Sequence, residues 1–147
     1  MPETPITDYL AHLLIQANRH MARQLTSEGV SLEQWRILKV ISQHGGLAMR
    51  ELARMLSLHH PTLTKIVDKM VTEALVYRVP DPDDRRKIRI FISEKGKGVL
   101  HQQNERVSDH QIRVEGHHGP EQVSKLKAML EQFISEVSEP DDEAKDG

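Results

Sequence analysis

The chain has 147 residues, of which 37% are hydrophobic and 29% charged, a composition ordinary for one globular domain. It contains no cysteine, which excludes disulfides, thiolate metal sites and cysteine nucleophiles, and no apolar run approaches the ~18 residues of a membrane span. The first residues, Met1–Thr4, lack the basic start and apolar block of a signal peptide, so we expect a cytoplasmic protein.

Charge is unevenly distributed along the chain. The net charge is −2, yet residues 47–98 contain 11 Lys and Arg against 7 Asp and Glu, while the remainder contains 9 against 15. A solvated charged face is the ordinary explanation of such a run. A basic middle between acidic flanks is also typical of a chain that binds a polyanion.

The first predicted element is a helix over residues 6–27, where apolar residues recur three and four apart. Thr4 or Thr7 is suitably placed to cap its start. The apolar pattern ends near Gly29. Because glycine is common just beyond the end of a helix, we expect the helix to stop there.

The middle of the chain predicts three helices in close succession. Ser31 and Gln34 have the spacing of a capping box, which predicts a helix that ends at the following glycine pair. A short helix over residues 50–55 comes next. A third helix is predicted over residues 60–74, where Pro61 suits the first turn because its missing N–H costs nothing there.

Two strands are predicted after these helices. Residues 76–79 and 87–92 are β-branched or alternate between charged and apolar side chains, and the turn-rich segment 80–86 separates them. The pair predicts a β-hairpin with a long charged tip. The fold class is therefore mainly α with a small β-hairpin, in the order of a winged helix-turn-helix domain.

The last part of the chain predicts two more helices. A helix that begins after Ser93 is broken at residues 116–119, and a final helix follows over residues 120–137. Residues 138–147 form an acidic tail with no apolar side chains to bury, so we expect them to be disordered.

The helix over residues 60–74 carries candidate DNA-binding side chains on its exposed side. Threonine can hydrogen-bond a base edge or place its methyl group against a thymine methyl, and lysine can contact guanine or phosphate. The alternative is an ordinary amphipathic helix with a polar outer face. The candidates are His60, Pro61, Thr62, Thr64, Lys65 and Lys69.

The predicted hairpin tip strengthens the case for DNA. It places Arg85, Arg86 and Lys87 directly after Asp84. A narrow minor groove attracts an inserted arginine, and we expect Asp84 to orient Arg86 through a charge-assisted hydrogen bond. The alternative is a flexible solvated loop. The two prolines of the tip stiffen this segment, which weakens that alternative.

These segments resemble the MarR (multiple antibiotic resistance regulator) family of bacterial transcription factors. The Asp-x-Arg of the hairpin, Asp84 and Arg86, is the most specific part of the resemblance. The matching stretches, in the right order and spacing, are Ser31–Trp35, Glu51–Ala53, Pro61–Met70, Asp81–Lys87 and Ile92–Gly96.

The resemblance implies a homodimer that binds a pseudo-palindromic site in double-stranded DNA. It implies Arg86 in the minor groove, the helix over residues 60–69 in the major groove, and a small-molecule pocket between the dimerisation and DNA-binding parts. Residues 1–137 would form a single winged-helix regulator with a DNA-binding part at about 31–98. The dimerisation helices would lie at about 6–28 and 99–137.

Dimerisation also follows from the apolar pattern. The first and last helices have apolar stripes outside the compact wing domain, and burying several Leu and Ile side chains at ~25 cal/mol per Å² would stabilise a dimer strongly. The alternative is that these helices pack on each other within one chain.

Three features depart from the usual family pattern. Ala74 stands where the family usually has glycine, so this position must avoid a left-handed backbone or carry strain. The pair His59-His60 is an uncommon lead into the DNA-reading helix, and the preferred DNA sequence cannot be borrowed from relatives. The absence of cysteine excludes the oxidant-sensing branch of the family.

Histidines supply two further hypotheses. His12 and His20, eight residues apart on the first helix, could line a pocket for an acidic aromatic ligand, with Trp35 as a wall. Alternatively they are partly buried polar residues at a helix interface. The pair His117-His118 with Glu115 could bind a metal, although adjacent residues rarely ligate one ion together. We expect no metal or other cofactor.

The sequence therefore predicts a DNA-binding repressor, released from its operator by a small ligand, and no enzyme. No nucleophile elbow and no glycine-rich phosphate loop is present in the sequence. The remaining alternatives are a metal-responsive regulator, a regulator without a ligand, and a winged-helix module that binds proteins.

Overall fold

A computed structural model describes residues 5–26 and 30–137 of the chain. They divide into two compact units, one up to Val107 and one from Ser108 onward. None of the described helices is both long enough and apolar enough to span a membrane. The elements are α1 (Ile6–Leu25), α2 (Leu32–His44), β1 (Leu47–Ala48), α3 (Met49–Leu56), α4 (His60–Thr72), β2 (Val76–Pro80), β3 (Ile88–Ile92), α5 (Glu94–His118) and α6 (Pro120–Val137).

The capping box at the start of α2 is confirmed. The Gln34 backbone N–H donates to Ser31 Oγ over 3.2 Å, and the Ser31 N–H donates to Gln34 Oε1 over 3.0 Å. Two backbone donors at the helix start are thus satisfied reciprocally. At the other end, Gly45 has a φ of 71°, which stops the helix where the glycine pair predicted.

Helices α2, α3 and α4 enclose the core of the first unit together with the small sheet. The buried residues are aliphatic, as the low aromatic content requires. Their complete removal from water supplies the main stabilisation of this unit. Fully buried members are Ile37, Leu38, Leu52, Leu63, Val67, Met70 and Ile90.

The predicted hairpin is confirmed, and a third strand is added to it. Strands β2 and β3 pair antiparallel from Val76–Ile92 to Pro80–Ile88. The two-residue strand β1 pairs with the other edge of β3, giving the order β1-β3-β2. A two-residue strand has no alternation to detect, which is why the sequence did not predict it.

The predicted threonine cap of α1 was wrong for Thr7, which lies inside the helix. Pro5 occupies the N-cap position with a φ of −51° and provides no side-chain cap. Its carbonyl accepts from the N–H of Asp8 over 3.0 Å. The helix ends at Leu25, two residues before the predicted end. The alternative cap Thr4, the stop at Gly29 and the acidic tail lie outside the described residues.

The end of α4 shows what the Ala74 departure does to the backbone. The Ala74 N–H donates to Val71 O over 3.0 Å, and the Leu75 N–H donates to Met70 O over 2.9 Å. This is the Schellman arrangement, in which the residue after the cap adopts a left-handed backbone. Ala74 adopts this backbone with a φ of 60°, and α4 therefore ends two residues before the predicted position. Because alanine has a Cβ, the left-handed backbone is strained at this residue.

Replacing Ala74 with glycine is therefore expected to stabilise the protein. Removing the methyl group relieves the left-handed strain, and the gain exceeds the extra freedom of glycine in the unfolded chain, for a net effect of about 1 kcal/mol. Denaturant unfolding would measure it. The matched control is Ala53→Gly in the middle of α3, where the same change should destabilise by about 1 kcal/mol. A destabilised Ala74→Gly protein would contradict the strain.

The same turn is joined tightly to the start of α5. The Leu75 carbonyl accepts from the Ser93 N–H over 3.1 Å, and the Ser93 hydroxyl donates to the Ala74 carbonyl over 2.6 Å with the Leu75 carbonyl 3.0 Å away. Ser93 Oγ also accepts from the Gly96 N–H over 3.0 Å, so it caps α5. The backbone of Gly96 approaches Leu75 so closely that a Cβ at Gly96 would lie 2.2 Å from Leu75 O. We refer to Ala74, Leu75, Ser93 and Gly96 as the α4–α5 junction.

Apolar side chains of the outer helices are exposed within each unit. On α1, Ile6 and Tyr9 keep 74% and 58% of their surface accessible. On α6 in the second unit, Leu126 and Met129 keep 59% and 68%. Such large apolar side chains in a row are typical of a surface that another protein chain covers.

Candidate nucleic-acid interface

Helix α4 presents its polar side to solvent. Its buried side is formed by Leu63, Val67 and Met70, which pack into the core. The sequence candidates lie on the other side: Thr64 is half-buried, and the exposed ones are His60, Pro61, Thr62, Lys65 and Lys69. The structure therefore offers these side chains to a partner together.

The hydroxyl of Thr64 is engaged within its own helix. Thr64 Oγ1 donates to the His60 carbonyl over 2.9 Å and lies 3.4 Å from His60 Nδ1. The oxygen lone pairs and the methyl group remain for a base. Thr62 and Lys65 have no such internal bond among residues 5–26 and 30–137, so they are better placed to donate.

The start of α4 favours an anion. His59 at the N-cap makes no side-chain cap, and Pro61 lies in the first turn. The uncapped N–H groups of a first helical turn carry partial positive charge and point outward, where a phosphate oxygen can accept from them.

An ion pair connects α4 to the hairpin. The guanidinium Nη2 of Arg78 on β2 donates to Asp68 Oδ1 on α4. Both side chains are substantially exposed, so the pair adds little stability. The position of the hairpin relative to the helix is set by the core that α4 shares with both strands, and the ion pair joins the two elements at the surface.

The hairpin tip, residues 81–87, is an ordered loop. The Asp81 N–H donates to Lys87 O over 2.9 Å, and the Lys87 N–H donates to Asp84 O, also over 2.9 Å. These bonds close the loop beyond the last strand pair. We call this segment the wing tip.

The position of Asp84 corrects one sequence expectation. Its Oδ1 accepts from the backbone N–H of Arg86 over 3.1 Å, and the expected bond to the Arg86 guanidinium is not present among the described contacts. A short acidic side chain in a turn readily bonds the amide two residues on. The side chains of Arg85, Arg86 and Lys87 are exposed, with no hydrogen-bond partner in the described part of the chain.

Asp81 organises the wing tip, a role the sequence analysis missed. Its buried carboxylate accepts from Arg89 Nε over 2.7 Å and from the N–H groups of Asp83 and Asp84 over 2.8 and 3.2 Å. The bond from Arg89, followed by that from Asp83, holds the pKa of Asp81 below its ordinary value. The Asp-Pro-Asp sequence was an available signal, since aspartate before proline commonly starts such a turn.

An Asp81→Asn substitution is expected to loosen the wing tip at neutral pH. The lowered pKa means that the ionised carboxylate stabilises the folded loop, fully above the unfolded pKa and progressively less as the pH falls through the folded pKa. Amide hydrogen exchange at Asp83 and Asp84 should be faster in the variant at pH 7, and the two proteins should converge in strong acid. Equal exchange at pH 7 would show that Asp81 is not the organiser.

The ligand candidates are not joined to one another. His12 and His20 are exposed on α1, and His20 Nε2 lies 3.1 Å from Gln24 Nε2. Trp35 is half-buried, its Nε1 donates to Asn104 Oδ1 over 3.0 Å, and Lys39 Nζ lies 5.1 Å from its ring centroid. No hydrogen bond or ring contact links either histidine to Trp35 within the described ranges.

The pair His117 and His118 ends α5 with ring centroids 6.3 Å apart. Among the residues that the structure covers, no three His, Asp or Glu side chains are grouped to hold a metal ion. The geometry of these residues gives the metal hypothesis no added support.

Comparison with known proteins connects this arrangement to one family. Residues 28–87 match the model of the MarR family. The homoprotocatechuate degradative operon repressor of Escherichia coli is 25% identical over 103 residues, which are 70% of each chain.

Solved structures agree on the fold. The PcaV transcriptional regulator from Streptomyces coelicolor, in complex with its natural ligand, superposes with a TM-score of 0.81 at 18% identity, over 95% of this chain and all of that one. A mutant MarR from E. coli complexed with operator DNA gives a TM-score of 0.78 at 22% identity, over 88% of this chain and 94% of that one.

Proposed function

We propose that the chain, whose residues 28–87 match the MarR family model, is a winged helix-turn-helix regulator of that family and acts as a homodimeric repressor of a pseudo-palindromic operator in double-stranded DNA. The observation that carries the proposal is the ordered wing tip, which presents three exposed cations beside the polar outer face of α4. The ion pair of Arg78 and Asp68 joins the hairpin to that helix. The relative solved with operator DNA supports the same partner.

Each element has a separate task in this proposal. Helix α4 enters the major groove, where Thr62 and Lys65 contact base edges or phosphates. The wing tip follows the backbone, and Arg86 enters the adjacent minor groove, whose negative potential attracts a guanidinium. The exposed start of α4 receives a phosphate. His60, Pro61, Thr64, Lys69, Asp84, Arg85 and Lys87 complete the proposed interface.

The second copy in the proposed dimer covers the outer helices. The exposed apolar side chains of α1 and α6 need a partner that removes them from water. A two-fold axis would then place two copies of α4 about 34 Å apart, one turn of DNA, which suits a palindromic site. Residues 6–28 and 99–137 are accordingly proposed as the dimerisation part, and 31–98 as the DNA-binding part.

Repression in this proposal is steric and needs no catalysis. A dimer on the operator blocks access to the promoter, in the compartment that holds the DNA, which is the cytoplasm in bacteria. A small-molecule effector would lower DNA affinity only in so far as it prefers the state that does not fit the operator. The relative solved with its natural ligand supports such control.

Binding to DNA from upstream of the protein's own gene tests the function. We expect a specific complex that weakens about 1000-fold between about 50 mM and about 200 mM salt, because phosphate contacts release counterions. Light scattering should give twice the mass of 16.8 kDa. A monomer, or an absence of duplex binding at low salt, would overturn the proposal. Binding that survives only without chelator would instead favour the metal-responsive alternative.

A further inference from the structure

The side chains of His60 and Thr64 meet at the exposed start of α4, one helical turn apart. Thr64 Oγ1 lies 3.4 Å from His60 Nδ1 and 2.9 Å from the carbonyl oxygen of the same histidine. A hydroxyl has one hydrogen and a carbonyl oxygen can only accept, so the hydroxyl hydrogen goes to the carbonyl. His60 Nδ1 therefore faces a lone pair of Oγ1.

This contact determines which nitrogen of the His60 ring carries the hydrogen. Because Oγ1 can only accept from the ring, Nδ1 must be the donor. A neutral imidazole has one N–H, so Nε2 is left as an acceptor. In the described part of the chain nothing bonds Nε2 and no carboxylate pairs with this exposed ring. The tip of the His60 side chain thus presents a lone pair to a partner.

Two other histidines lack this arrangement. The residue four positions after His59 is Leu63, whose side chain cannot form a hydrogen bond. On α5, His101 Nε2 lies 3.4 Å from Glu105 Oε1, and an ionised carboxylate can only accept, so the hydrogen there is on Nε2. The Nδ1–H form of His60 therefore depends on its own threonine.

We propose that His60 determines base specificity by accepting a hydrogen bond from an exocyclic amino group in the major groove. The inference rests on the proposed function, which puts the start of α4 in that groove. Adenine and cytosine present an amino group there, whereas guanine and thymine present acceptors that repel a lone pair. A phosphate oxygen is also only an acceptor, so the neutral ring is unsuited to it. Thr64 acts through His60 and is a positioning residue.

The first test observes the ring itself and needs no DNA. ¹⁵N NMR of the full chain at about pH 8.5, where imidazole is neutral, distinguishes a ring nitrogen with hydrogen from one without. We expect the hydrogen on Nδ1 in His60 and on Nε2 in His101, with His60→Gln identifying the signals. Thr64→Val should release His60 toward the Nε2–H form, whereas Thr64→Ser should preserve Nδ1–H. An Nε2–H ring at His60 in the unsubstituted protein would overturn the proposal.

The second test removes single groups from the operator bases at the same pH. The base pair that His60 contacts is the one whose preference is lost in His60→Ala, and the matched control His59→Ala should retain that preference. A base analogue without the amino group should weaken binding of the unsubstituted protein about fivefold and that of His60→Ala by less than about twofold. A purine analogue without N7 in the same base pair should change neither Kd.

Different patterns of loss would overturn the proposal. Weaker binding after removal of N7, with no effect of removing the amino group, would show that the ring donates. An equal loss in His60→Ala on every DNA sequence would show a phosphate contact, and thermal unfolding checks that each variant is folded. A protein with Nδ1–H at His60 that ignores duplex DNA would contradict the proposed function and the base contact with it, while the assignment of the ring hydrogen would stand.

Discussion

Arg86→Ala is expected to reduce operator affinity by roughly tenfold to a hundredfold while the protein remains folded. The Arg86 guanidinium is exposed and makes no hydrogen bond in the described part of the chain, so its removal takes nothing from the fold. The loss arises on DNA, where a narrow minor groove concentrates negative potential around an inserted arginine. Fluorescence anisotropy with a labelled operator would measure the Kd at fixed salt.

Two further variants identify the cause of the lost affinity. Arg106→Ala on α5 removes an equal charge from an exposed position away from the wing tip, and it should change the Kd by less than about twofold. Arg86→Lys restores the charge but not the planar fork, so it should recover only part of the affinity. Equal affinity of Arg86→Ala and the unsubstituted protein would remove the wing from DNA recognition.

Gly96→Ala is expected to destabilise the protein strongly. A Cβ at this position would lie 2.2 Å from the Leu75 carbonyl oxygen and 2.9 Å from Ile92 Cγ1. The carbonyl belongs to the backbone and cannot rotate away, so the start of α5 must move off the sheet. We expect a loss of about 3 kcal/mol in the free energy of unfolding.

A second glycine two residues further along α5 provides the control. A Cβ at Gly98 would meet nothing within 4 Å, and the position is helical. Gly98→Ala should therefore stabilise the protein by up to about 1 kcal/mol through the better helix propensity of alanine. Urea unfolding of both variants measures the difference. A Gly96→Ala protein as stable as Gly98→Ala would show that the close approach to Leu75 is not rigid.

Local signals in the sequence predicted much of this fold. The capping box of Ser31 and Gln34, the stop at Gly45 and the two strands of the hairpin all depend on residues close together in the chain. The resemblance to the family pointed to Ala74, where glycine is usual, but it left open whether the backbone avoids the left-handed region or carries strain; the structure shows the left-handed backbone. The start of α1 at residue 6 was predicted as well, but the cap at Thr7 was not found, because Pro5 holds the N-cap position and offers only its carbonyl.

The candidate site was predictable in residue type but not in arrangement. The exposed side of α4 follows from helical spacing. The bond between Asp81 and Arg89 does not, because it joins residues across a loop whose path depends on the strand register. Residues 48–51 lie beside residues 81–89, and strand β1, which brings them together, was too short to predict.

The α4–α5 junction determines how movement can pass through the molecule. The Ser93 N–H bonds the Leu75 carbonyl and the Ser93 hydroxyl bonds the Ala74 carbonyl, so the end of α4 is joined directly to the start of α5. A change in the direction of the first turn of α5 is therefore expected to displace the end of α4 with it. In the proposed dimer, the spacing of the two copies of α4 would then depend on the orientation of the first turns of the two α5 helices.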